Sequence, residues 1–183
     1  MKLDVKKIVA ILFLTGTVTT VDADVCRVIP GSITCGQGIT DTLSGYGVVK
    51  VKDTTVLGKT LVNGILNAKE ANFFSLDVNG SAKLTHCTIN DVASIKGSLT
   101  ASSTQFKKNL KIYSSQTRFI NSKVNNDLHV GHTDSGKQVI YLDNFSEVSG
   151  DIIFDDGDGE VFVRGQSKIG GKIVGGKQLK VIS

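Results

Sequence analysis

The stretch FDDGDGE, Phe154 to Glu160, sets four carboxylates, Asp155, Asp156, Asp158 and Glu160, among flexible glycines, with Arg164 a short way beyond. Two chemistries suit that pattern. Alternating carboxylates surround a calcium ion, and carboxylates grouped with a basic partner on one exposed sheet are what acid and base catalysis on a polysaccharide requires. Ser167 stands where a helix-loop-helix calcium loop would place its closing Glu. A solvated acidic turn is therefore the preferred reading and calcium the alternative; no other cofactor is expected.

A second group lies in and beside the stretch GHTDSGKQ, residues 131–138, where His129, His132, Asp134 and Lys137 form a candidate binding loop. His129 and His132 would converge on a metal from a helix, but not from a strand running into a loop, so exposed positions are preferred. His86 has no acidic partner in view. A glycine-rich phosphate loop, a nucleophile elbow and a paired-cysteine zinc motif are all missing from the sequence, which disfavours catalysis.

Three cysteines complete the inventory. Cys26 and Cys35 enclose a short loop and would close a disulfide in an oxidising compartment, with two free thiols as the competing reading. Cys87 sits at a repeat position that calls for a small buried residue rather than a nucleophile.

The elements that carry these residues follow from a repeat. An apolar anchor closes a short phrase at Val56, Phe73, Ile89, Phe106, Val124, Val148 and Ile169, at successive spacings of 17, 16, 17, 18, 24 and 21 residues. Two places earlier stand Thr54, Ala71, Cys87, Thr104, Ser122, Ser146 and Ser167, all small. A polar or glycine-containing corner follows, then two apolar positions in alternation, such as Leu110 and Ile112 or Leu128 and Val130. A third apolar segment, such as SLTA at 98–101 or VIYL at 139–142, completes each period.

Strands turn alternate side chains to opposite faces, so these apolar positions share one interior while Thr55, Asn72, Thr88, Gln105, Lys123, Glu147 and Lys168 face outward. The expectation is an all-β chain: a single-stranded right-handed parallel β-helix, or solenoid, of about seven coils. The spacing of 24 falls on residues 131–138, which reads as a protruding loop. Twenty Gly, one Pro and no Trp in 183 residues agree with short strands and tight corners.

Residues 1–23 read as a cleaved signal peptide: Lys2, Lys6 and Lys7, an apolar run from Ile8 to Val18, and a small-residue exit at Val21 to Ala23. That apolar run is shorter than a membrane span, so no integral anchor is expected after cleavage. The organisation is then a signal peptide at 1–23, a capping segment at 24–47 and a β-helix domain at 48–183, exported to the periplasm or secreted. Removing the signal takes three Lys and two Asp from 21 basic and 17 acidic residues and leaves a formal charge of +3. Scattered lysines and few aromatics give no nucleic-acid groove.

The phrases SEVSGDIIF, from Ser146, and SKIGGKIVGG, from Ser167, resemble the repeats of bactofilins, bacterial polymer-forming proteins built as small β-helices. That resemblance implies end-to-end stacking of coils into homo-oligomers without nucleotide, and a scaffolding role. The residues themselves point to a non-enzymatic structural or binding protein whose ladders or loop meet a glycan or an envelope or host protein. The alternative is a polysaccharide-active, pectate-lyase-like enzyme.

Overall fold

The computed structural model describes residues 25–134 and 136–180, and among them there are strands and turns with no helix. The expected signal segment lies outside the described residues. The chain winds as a β-solenoid of about nine turns, each laying one strand segment on each of three faces. On the first face the anchors pair in one register, Thr40, Val56, Phe73, Ile89, Phe106, Val124, Val148 and Ile169, all in parallel. The second face carries Leu76 and Val78, Ala93 and Ile95, Leu110 and Ile112, Leu128 and Val130, Ile152 and Phe154 inward. The third carries Leu66 and Ala68, Ala82 and Leu84, Leu99 and Ala101, Ile140 and Leu142.

These side chains form one continuous core in which Val56, Phe73, Ile89, Phe106, Val124 and Val148 are all fully enclosed. Each contributes about 1.5 to 3 kcal/mol by leaving water, offset by the entropy of ordering. The polar column from Thr55 to Lys168 stacks outward in register on the first face. One corner shorter by a residue appears as a shift of register between Val56 paired with Phe73 and Lys59 paired with Ser75.

The coil number departs from the expected seven. Strands β1 (Cys26–Ile29), β2 (Ser32–Cys35), β3 (Gly38–Thr40) and β4 (Leu43–Lys52) already build a turn, because β2, β3 and β4 all pair in parallel with the chain that follows them. This turn hides from a search for apolar anchors. Its anchor is Thr40, and Gly45 occupies an inward place that the Ile33 and Val49 side chains already fill. A last strand at Gly176–Lys180 adds a turn at the other end, pairing with Gly159–Val163. β1 runs antiparallel to β2 and is fastened to it by the Cys26–Cys35 disulfide, a bond that belongs to an oxidising compartment.

The repeated small residue has a more specific role than room for a bend. The residue before it, at Asp53, Glu70, His86, Ser103 and Asn121, adopts a left-handed backbone conformation with φ between 47° and 54°. Such a residue is disfavoured by about 1–2 kcal/mol, and where the small residue behind it is Thr or Ser its hydroxyl ties the corner together. Ser122 Oγ donates to the Ile120 carbonyl at 2.9 Å and accepts the Thr104 N–H at 3.0 Å. Ser146 Oγ accepts from Ser122 N at 3.2 Å, and Ser167 Oγ from Ser146 N at 3.0 Å. Each hydroxyl thus satisfies a backbone donor one turn earlier. Cys87 occupies the same column, its thiol at 3.3 Å from the Thr85 carbonyl, and burial pushes its pKa up. That environment suits a packed thiol, not a nucleophile.

Candidate functional site

The inserted loop and the acidic turn, read separately in the sequence, meet in space. Val130 and Phe154 are paired neighbours on the second face, so the chain leaves that face at the same corner in successive turns. The longer excursion folds over the shorter. His132 Nδ1 pairs with Asp156 Oδ1, and the Thr133 backbone N–H donates to the other oxygen of the same carboxylate at 3.3 Å. His132 Nε2 lies 3.5 Å from Asp134. Lys137 Nζ donates to Glu160 at 2.6 Å, and Lys177 from the next turn reaches the same oxygen at 3.3 Å. At the base of the loop the buried Gln138 amide donates to the Gly131 carbonyl at 2.7 Å.

The charges set one another's protonation. Asp156 beside His132 raises the imidazole above the ordinary histidine range, and the same contact lowers the Asp156 carboxyl. Lys137, with Lys177, holds Glu160 below the usual carboxylate range. Both acids therefore remain ionised near neutrality. On the first face Glu147 is likewise lowered, first by the Ser149 hydroxyl and then by Lys123 and Lys168, each 3.2 Å away in the outward column.

The remaining candidates are placed elsewhere. His129 stacks between Lys111 and Ile153 on the second face, apart from the loop pair. Asp155 and Asp158 are exposed in the turn. The four carboxylates considered for calcium are thus divided, two paired with cations of the loop and the last turn and two facing solvent. Among the described residues no group of three or more His, Cys, Asp or Glu side chains is arranged to hold a metal. Nor is any helix there long and apolar enough to cross a membrane.

Arg164 turns away from the acidic stretch altogether. Its guanidinium lies 5.0 Å from the centre of the Tyr141 ring and 5.6 Å from that of Phe162, with Asp143 at 3.8 Å. Arg118 approaches from the previous turn, 4.9 Å from the Tyr141 ring and 3.6 Å from Asp143. The two rings stack at 5.2 Å along the rod axis. This cluster was not among the sequence candidates. It was visible in principle, since Arg118, Tyr141 and Phe162 are the outward residues of successive third segments, RFI, YLD and FVR, and fall in one register.

No protein-family model, curated protein or solved structure matches the chain.

Proposed function

We propose that the chain is an exported, non-enzymatic binding rod that uses its β-solenoid to hold a lateral surface in a fixed shape. The observation that carries this reading is the fastening of residues 131–138 onto residues 155–160 by His132–Asp156 and Lys137–Glu160. A stack of turns gains nothing from an insertion, and ordering one costs conformational entropy. A loop that is nevertheless secured at both of its shoulders is a presented surface. Among polysaccharide-active alternatives, a hydrolase needs a protonated carboxyl to deliver a proton. Here Asp156 and Glu160 are both pushed towards the ionised form, and Arg164 serves an aromatic cluster rather than the acidic turn.

A second reading, self-association of the kind found in bactofilins, is favoured by the ends of the stack. β1 crosses antiparallel at one end. At the other, Ile169 and Ile173 of the last turns are only partly covered. Partly covered apolar side chains on the last described turns offer a face to a second copy, which makes pairing there the form of assembly to expect.

Sedimentation velocity on the exported protein with its disulfide intact, over a concentration series with and without calcium, tests both readings. The binding rod is expected as one monomeric species throughout. Saturable dimer formation would favour end pairing, and growth to large species would overturn the binding-rod reading in favour of a polymer. Calcium is expected to leave the profile and the melting temperature unchanged.

A further inference from the structure

The regular stack changes character in one region. The corner between the second and third faces is a column of glycines, Gly47, Gly64, Gly80 and Gly97, each with positive φ. A Cβ on Gly64, Gly80 or Gly97 would collide with the carbonyl oxygen of the glycine one turn earlier. The column then stops. Lys96 pairs with Tyr113, so the place after Gly97 belongs to Ser114, and in the following turn the chain leaves as the 131–138 loop. Beside this break lies a groove of about 790 Å³ formed by Ser98 to Thr100, Ser115, Gln116 and Arg118, with Thr133 of the loop along it.

The groove is lined by groups that both donate and accept. Among the described residues the Thr100, Ser115 and Gln116 side chains make no internal hydrogen bond, and the Thr133 hydroxyl is enclosed without a partner. Tyr113 borders the groove with its ring packed on Gly131 and with the Lys111 ammonium 5.1 Å from its centre, which fixes its position. No carboxylate lines the groove.

We propose that this groove is a carbohydrate-binding site, in which hydroxyls of an oligosaccharide bond to Thr100, Ser115 and Gln116 beside the Tyr113 ring. The inference rests on reading the rod as a binding protein and names the ligand class of that surface. Sugar hydroxyls are both donors and acceptors and so match a lining of Ser, Thr and Gln. An apolar small molecule needs a deep greasy pocket, and a protein partner needs buried aromatic or aliphatic anchors. Of the apolar side chains along the groove Leu99 is buried, which leaves Ile120 and the Tyr113 ring, too little apolar surface for either. Nucleic acid needs a basic track, whereas the one lining cation, Arg118, is already shared with Asp143. Without a lining acid the groove holds a glycan and leaves its linkages intact.

The test is an array carrying cellohexaose, maltohexaose, chitohexaose and uronic-acid oligosaccharides, followed by titration of the best-retained one into the full exported protein with amide chemical shifts recorded. Shifts are expected at 97–100, 114–118 and 133. Thr100→Val, which keeps the volume and removes the hydroxyl, and Ser115→Trp, which fills the groove, are each expected to weaken binding about tenfold or more, with an unchanged melting temperature for Thr100→Val. Retention of no oligosaccharide, shifts confined to another face, or affinity untouched by Thr100→Val would overturn the groove assignment and leave the binding-rod reading standing. Shortened or unsaturated products from the same oligosaccharides would instead sink the binding-rod reading itself.

Discussion

At the scale of single residues the solenoid rests on two columns that no single turn explains. In the hydroxyl column, Ser122→Ala removes the acceptor for the buried Thr104 N–H together with the bond to the Ile120 carbonyl. An unsatisfied buried donor costs about 1–3 kcal/mol, and urea denaturation is expected to show a loss in that range, against almost none for the exposed Lys108→Ala. In the glycine column, Gly80 has φ of 139° and its neighbour's carbonyl fills the space of a Cβ. Gly80→Ala combines a backbone conformation costing about 1–3 kcal/mol with a forced separation of adjacent turns, so a loss of about 3 kcal/mol is expected in the same assay. A loss below about 0.5 kcal/mol would show that the corner relaxes freely.

At the scale of elements, the pin between loop and acidic turn has a pH window whose limits follow from its two partners. His132 is raised, so its contribution is complete below the ordinary histidine value and is lost as pH rises through its raised one. Asp156 is lowered, so its contribution is complete above the ordinary aspartate value and is lost as pH falls through its lowered one. The pin is whole between, at about pH 5 to 6. Amide protection at His132 and Thr133, corrected for intrinsic exchange, is expected to peak there and to fall on the alkaline side, while His132→Gln should flatten the profile. The hairpin of β1 and β2 is a second separable element. Cys26→Ser with Cys35→Ser opens a loop with a sequence separation of 9. The stability lost on chemical denaturation is expected to be about 2–3 kcal/mol.

How much of this could be read beforehand differs between elements for physical reasons. The inward column from Val56 to Ile169 was legible because a two-residue alternation must persist wherever a face is buried. The first turn was not, since Thr40 stands in the anchor place and Gly45 contributes no side chain to the interior. The protruding loop was legible as a spacing of 24. Its pairing with the acidic turn was not, because His132 and Asp156 meet only after two turns have stacked and the loop has folded across one of them. The left-handed corners escaped notice as well. Asp53, His86, Asn121 and Asn144 are ordinary occupants of that conformation, but Glu70, Ser103 and Phe145 carry no such signal.

At the scale of the whole molecule, order in space and order along the chain coincide. Every strand of the stack beyond β2 pairs in parallel with a partner a full turn away, whereas β1 and β2 are joined by two residues, Pro30 and Gly31. A tight antiparallel hairpin forms within microseconds, while a loop of some sixteen residues must be closed, at entropic cost, before a parallel rung is rewarded. The hairpin is therefore the natural nucleus, and each completed turn becomes the template on which the next is laid. Such growth needs nothing that comes later in the chain. The disulfide-fastened hairpin then does more than join β1 to β2: it gives assembly of the rod a direction, from the amino side towards the last described turn.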